Sequence, residues 1–123
     1  MRKYRIRIFT EEYAVNVFIG SRDEILNAGV LYTKYAPKSL RRDFESKRGI
    51  TYNCFPEKNP LILIDGDLPA HIATATLAHE ASHALQYLMD YLGMDDRSDE
   101  FRGHGIAAIM RTVGKDIFKK KKP

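Results

Sequence analysis

His79-Glu80-Ala81-Ser82-His83 lies inside the run IATATLAHEASHALQYLMDYL, Ile72 to Leu92, which contains no proline and is followed by Gly93 where a helix C-cap belongs. The run reads as one helix of about five to six turns. At 100° per residue, Leu77, Ala81, Ala84, Leu85, Leu88 and Leu92 form an apolar stripe that predicts burial. Ile72, Thr76, His79, His83, Gln86 and Asp90 fall on the other, more polar side. Two histidines four residues apart leave a helix from the same face and can hold one ion between them. Zinc takes imidazole nitrogen at about 2.0–2.1 Å, and the glutamate between them projects close enough to act as base toward a water activated by the ion. The pattern H-E-x-x-H therefore offers two ligands, His79 and His83, and a base, Glu80. A five-residue pattern also arises by chance, but chance has no reason to phase it on the polar side of an amphipathic helix.

A catalytic zinc needs a third protein ligand and an open fourth position. Asp95, Asp96, Asp99, Glu100 and His104 follow His83 within one short stretch. Met94-Asp95-Asp96-Arg97 is turn-like, and Ser98 is a suitable N-cap for a second helix running to about Phe118. Phe101, Ile106, Ile109, Met110, Val113 and Ile117 make its apolar side, with Glu100, His104 and Arg111 opposite. Gly103, Ala107 and Gly114 beside that polar face would permit close approach to the first helix, which favours Glu100 as the third ligand. His104 is the alternative, as a ligand, a group orienting one, or a stabiliser of a developing oxyanion. Arg111, on the cleft side of that reading, is a candidate for a substrate carboxylate, or a surface ion-pair partner. The aspartates Asp95, Asp96 and Asp99 fit a solvated loop with favourable charge at a helix N-terminus.

With these residues in place, the chain resembles the zincin metallopeptidases in the gluzincin arrangement, where H-E-x-x-H is followed by a glutamate on the next helix. AHEASHALQYLMDYLGM followed by SDEFRGHGIAAIM is similar, more narrowly, to small H-E-x-x-H proteins of bacteriophages and prophages. The resemblance covers roughly residues 60–115. It implies zinc held by His79, His83 and Glu100, Glu80 as general base, and peptide-bond hydrolysis. The gluzincin pattern often has an aspartate four residues after the ligand glutamate; His104 stands there instead.

The 123 residues suit one domain with a modest core, too few for the two lobes of large zinc peptidases. The single cysteine, Cys54, excludes an intrachain disulfide and is expected to be a half-buried strand residue. The start of the chain alternates rather than forming an apolar run, and no stretch approaches a membrane span, so the expected location is cytoplasmic; the resemblance implies a bacterial host cell or a phage-encoded protein. The formal charge of +4 equals that of Lys119 to Lys122 alone, so residues 1–118 are expected to form the domain and 119–123 a disordered basic tail. No stacking platform accompanies these lysines, which argues against a nucleic-acid partner.

Tyr4, Ile6 and Ile8 alternate with basic residues as in a strand, and Tyr13 to Ile19 is a second strand pairing with it in an antiparallel hairpin. Ser21-Arg22-Asp23-Glu24 is a capping box opening a helix that carries Ile25, Leu26, Val30 and Leu31 inward and ends before Pro37. Lys38 to Arg48 is an exposed loop or short helix. Ile50 to Phe55 and Leu61 to Ile64 are two further strands, and the resemblance makes the second, with Leu63, a candidate rail for an extended peptide, pairing inside a core hairpin being the alternative. The whole predicts an α+β, single-domain, minimal zincin-like fold: a small antiparallel or mixed sheet, one covering helix and a metal-binding helix pair. A zinc-dependent peptidase with a peptide or protein substrate is the expected function. The alternative is a non-catalytic, metal-stabilised interaction domain.

Overall fold

The computed structural model describes residues 1–8, 10, 12–94 and 98–120. Strands β1 (Arg2–Arg7) and β2 (Ala14–Gly20) form the antiparallel hairpin, with Arg2 opposite Ile19 and Arg7 opposite Ala14. Strand β2 then pairs in parallel with β4 (Leu61–Asp65), and β3 (Gly49–Tyr52) pairs antiparallel with the far side of β4. The order is β1-β2-β4-β3, a mixed sheet in an α+β single domain.

Side chains alternate across a strand, so each strand feeds two cores. Val15, Val17, Ile19, Ile62 and Ile64 face one side and meet Leu77, Ala81, Leu85 and Leu88 of α3 (Ala70–Leu92). Phe18, Leu61 and Leu63 face the other and meet Ile25 and Ala28 of α1 (Arg22–Thr33) and Leu40 and Phe44 of α2 (Pro37–Phe44). The sheet is therefore covered on both faces, by two helices where one was expected. Helix α1 opens with the expected capping box, Ser21 accepting from the Glu24 amide while the Glu24 carboxylate accepts from the Ser21 amide. Ile25 is buried, whereas Leu31 is 71% exposed. Gly29 takes the inner position, because a Cβ there would lie 2.9 Å from Leu40 and 3.1 Å from Leu63.

Helix α3 ends at Gly93 in the left-handed conformation, φ 70°, whose amide bonds back to Asp90. Ser98 precedes α4 (Asp99–Ile109) as expected, yet its side chain caps nothing. The second helix is not uniform: a π segment, Met110–Gly114, separates α4 from α5 (Lys115–Lys120). Lys119 and Lys120 belong to α5, two residues into the stretch expected to be a tail, and 121–123 lie outside the described residues. Cys54 is half-buried as expected but lies past the end of β3, not in it.

Candidate metal and catalytic site

The amphipathic phase of α3 places the motif as its spacing requires. Ala81, Ala84 and Leu85 turn into the core, and His79 and His83 stand exposed on the opposite side. Their rings meet edge to face, and Nε2 of His83 lies 3.1 Å from Nε2 of His79. Two nitrogens each about 2.0–2.1 Å from one zinc in a tetrahedral shell are about 3.3 Å apart. The pair is thus spaced like two corners of such a shell. Two lone pairs aimed at one another repel, so this approach requires a proton or a cation between them.

Glu80 turns the other way, toward β3, and is only 8% exposed. Its Oε1 accepts a hydrogen bond from Thr51 Oγ1 at 2.8 Å, and the same hydroxyl lies 3.0 Å from the Glu80 carbonyl oxygen. Its Oε2 lies 4.0 Å from His79 Nε2. The two carboxylate oxygens are therefore differentiated, one held by the sheet and one turned to the imidazoles. Gly49 makes this approach possible: a Cβ on it would stand 2.7 Å from Thr76 of α3 and 2.9 Å from Ile64. Beneath β3, the Tyr52 hydroxyl donates to Asp43 at 3.3 Å and ties the strand to α2; burial first, then the Asp43 charge, raises the pKa of that phenol.

A cleft of about 800 Å³ opens over these groups, lined by the loop Ser46–Arg48, by Gly49, Ile50 and Thr51 of β3, and by Thr76, His79, Glu80, His83 and Tyr87 of α3. Among the described residues β3 pairs with β4 alone, and its residues 49–51 line the cleft. Lys47 and Arg48 are the cations at its mouth.

The structure brings His79, Glu80 and His83 together and leaves the other expected site residues elsewhere. Leu63 is fully buried in the central strand and packs toward α1, so the outer edge needed for a substrate rail belongs to β3. Glu100, His104 and Arg111 do share one face of the second helix, and all three are exposed. That face turns outward because α4 docks through Gly105, where a Cβ would lie 2.3 Å from Leu85, a residue of the buried stripe of α3. Of the small residues expected at the contact, Gly103 has nothing within 4 Å of an added Cβ and Ala107 is exposed, while Gly114 is buried within the π segment. Arg102 of α4 reaches the polar side of α3, where its Nη2 donates to Gln86 Oε1. His104 and Arg111 instead border a small pocket with Arg7. Among the described residues no set of three His, Cys, Asp or Glu side chains converges to hold a metal. Asp95 and Asp96 lie outside the described residues; Asp99 is exposed in the first turn of α4 as expected.

Thr51, Gly49 and Arg102 are the residues of this region that sequence reasoning missed. Thr51 and Gly49 alternate along β3, a weak signal once the strand's neighbours are unknown. No protein-family model matches the chain, and no curated protein or solved structure is significantly similar to it. No helix among the described residues is long and apolar enough to cross a membrane.

Proposed function

We propose that the chain is a zinc-dependent peptide hydrolase whose His79 and His83 hold the ion and whose Glu80 is the general base. The observation that carries this reading is the approach of the two Nε2 atoms to 3.1 Å on an exposed helix face, beside a carboxylate oxygen turned toward them. When bound, zinc supplies a Lewis acid that polarises a carbonyl and acidifies water. In this reading Glu80 Oε2, 4.0 Å from His79 Nε2, accepts the proton of the attacking water and returns it to the leaving amine. Among the described residues β3 is the end strand of the sheet, beside the cleft, which fits an extended peptide or protein substrate. Neither Glu100 nor His104 is part of this proposal, because α4 presents both away from α3.

Protein purified without a histidine tag is expected to carry about one zinc per chain by elemental analysis, and His79→Ala or His83→Ala to lose it. Full zinc retention in the double variant would sink the metal-helix reading.

A further inference from the structure

The geometry points to Thr51 as a positioning residue that selects which oxygen of Glu80 faces the imidazole pair; this rests on the function proposed above. Thr51 is the side chain of β3 that bonds the carboxylate, and its hydroxyl reaches two acceptors of the same residue, Oε1 at 2.8 Å and the main-chain carbonyl at 3.0 Å. A hydroxyl has one hydrogen and two lone pairs. Beside a charged Glu80 it donates to Oε1. When Oε2 takes up a proton, Oε1 is still an acceptor and the hydroxyl goes on donating to it. The contact survives in either state, so the side chain need not swing when the proton arrives.

Three features make this more than packing. With Oε1 occupied, Oε2 is the oxygen left at 4.0 Å from His79 Nε2, on the open side of the carboxylate. The contact crosses from the sheet to the helix at a strand that Gly49 lets lie against α3. And Thr51 belongs to β3, whose residues 49–51 line the cleft, so a peptide paired there adjoins the residue that aims the base.

The test separates hydroxyl chemistry from strand shape with Thr51→Val, which keeps the β-branched outline, and Thr51→Ser, which keeps only the hydroxyl. Both are made in the full chain beside the parent and Glu80→Gln, and three quantities are read: zinc affinity by chelator competition, hydrolysis of an unstructured casein substrate, and order of the Glu80 side chain by NMR relaxation in the metal-free protein. Outer partners of a metal site typically contribute about 10–100-fold. Thr51→Val is expected to lose hydrolysis on that scale in kcat with KM and zinc affinity nearly unchanged, and to loosen Glu80. Thr51→Ser is expected to restore most of both. A structural role predicts the reverse ranking, since valine suits a strand better than serine. Unchanged Glu80 order in Thr51→Val, or a Thr51→Ser variant as impaired as Thr51→Val, would overturn the inference alone. Absence of Glu80-dependent hydrolysis in the parent would overturn the proposed function, and with it the positioning of a base.

Discussion

At the scale of single residues, burial and reactivity pull against each other in Glu80 and Cys54. A carboxylate 8% exposed is tolerated only where its oxygens find donors, and Thr51 supplies one. Replacing Glu80 with glutamine keeps the shape but removes the proton acceptor, so Glu80→Gln should retain zinc and lose hydrolysis by about 10²–10⁴-fold in a peptide-cleavage assay. An unimpaired variant would require a different base. Cys54 has the opposite fate: burial pushes its thiol up to about 11, although nearby Lys58 acts against the shift. Its thiolate is scarce at neutral pH, and iodoacetamide at pH 8 should label it markedly more slowly in the folded protein than in urea; equal rates would contradict this. The motif His79 to His83 was legible because its meaning depends on spacing along one helix. Thr51 was not, because its partner lies 29 residues away in the chain and the contact exists only after β3 meets α3.

The elements were read more accurately than the way they face one another. The C-cap at Gly93, the capping box at Ser21 and the β1–β2 hairpin follow from local rules, and each is present. The apolar side of α4 was also legible, but a helix has two flanks beside such a side, and only packing decides which one approaches its neighbour. Glycine at 105, inside the contact, was the informative residue rather than glycine at 103. The pair gives a sharp contrast: Gly103→Ala should stabilise by about 0.5–1 kcal/mol through helix propensity, since nothing lies within 4 Å of the added methyl. Gly105→Ala gains the same propensity yet drives a Cβ to 2.3 Å from Leu85, and overpacking of about 1–3 kcal/mol should make it the less stable variant in thermal unfolding. A stabilised Gly105→Ala would show that the helices do not meet there. The same orientation predicts that Glu100→Ala and His104→Ala leave zinc affinity within about twofold of the parent. A loss of about 10-fold or more in either would place it at the metal.

Over the whole molecule, the sheet separates two cores, and β4 serves both. Ile62 and Ile64 point to α3 while Leu61 and Leu63 point to α1 and α2. The apolar run Leu61 to Ile64 was legible as a strand, but a short apolar run is equally at home in the middle or at the edge of a sheet, which is why Leu63 was mistaken for a substrate contact. Leu63→Ala should cost about 2–5 kcal/mol in urea unfolding while the surviving folded protein keeps its zinc affinity; a loss below about 1 kcal/mol would deny its central place. The strand arrangement has a consequence for how the molecule assembles in time. The hairpins β1–β2 and β3–β4 and the α3–α4 pair join neighbours in sequence, but the parallel seam that sets Val17 opposite Ile62 must close most of the first half of the chain into a loop. Closure entropy is spent before that seam returns any contact, so the seam is expected to set the height of the folding barrier. Val17→Ala should then slow refolding, with a φ-value of about 0.5–0.8.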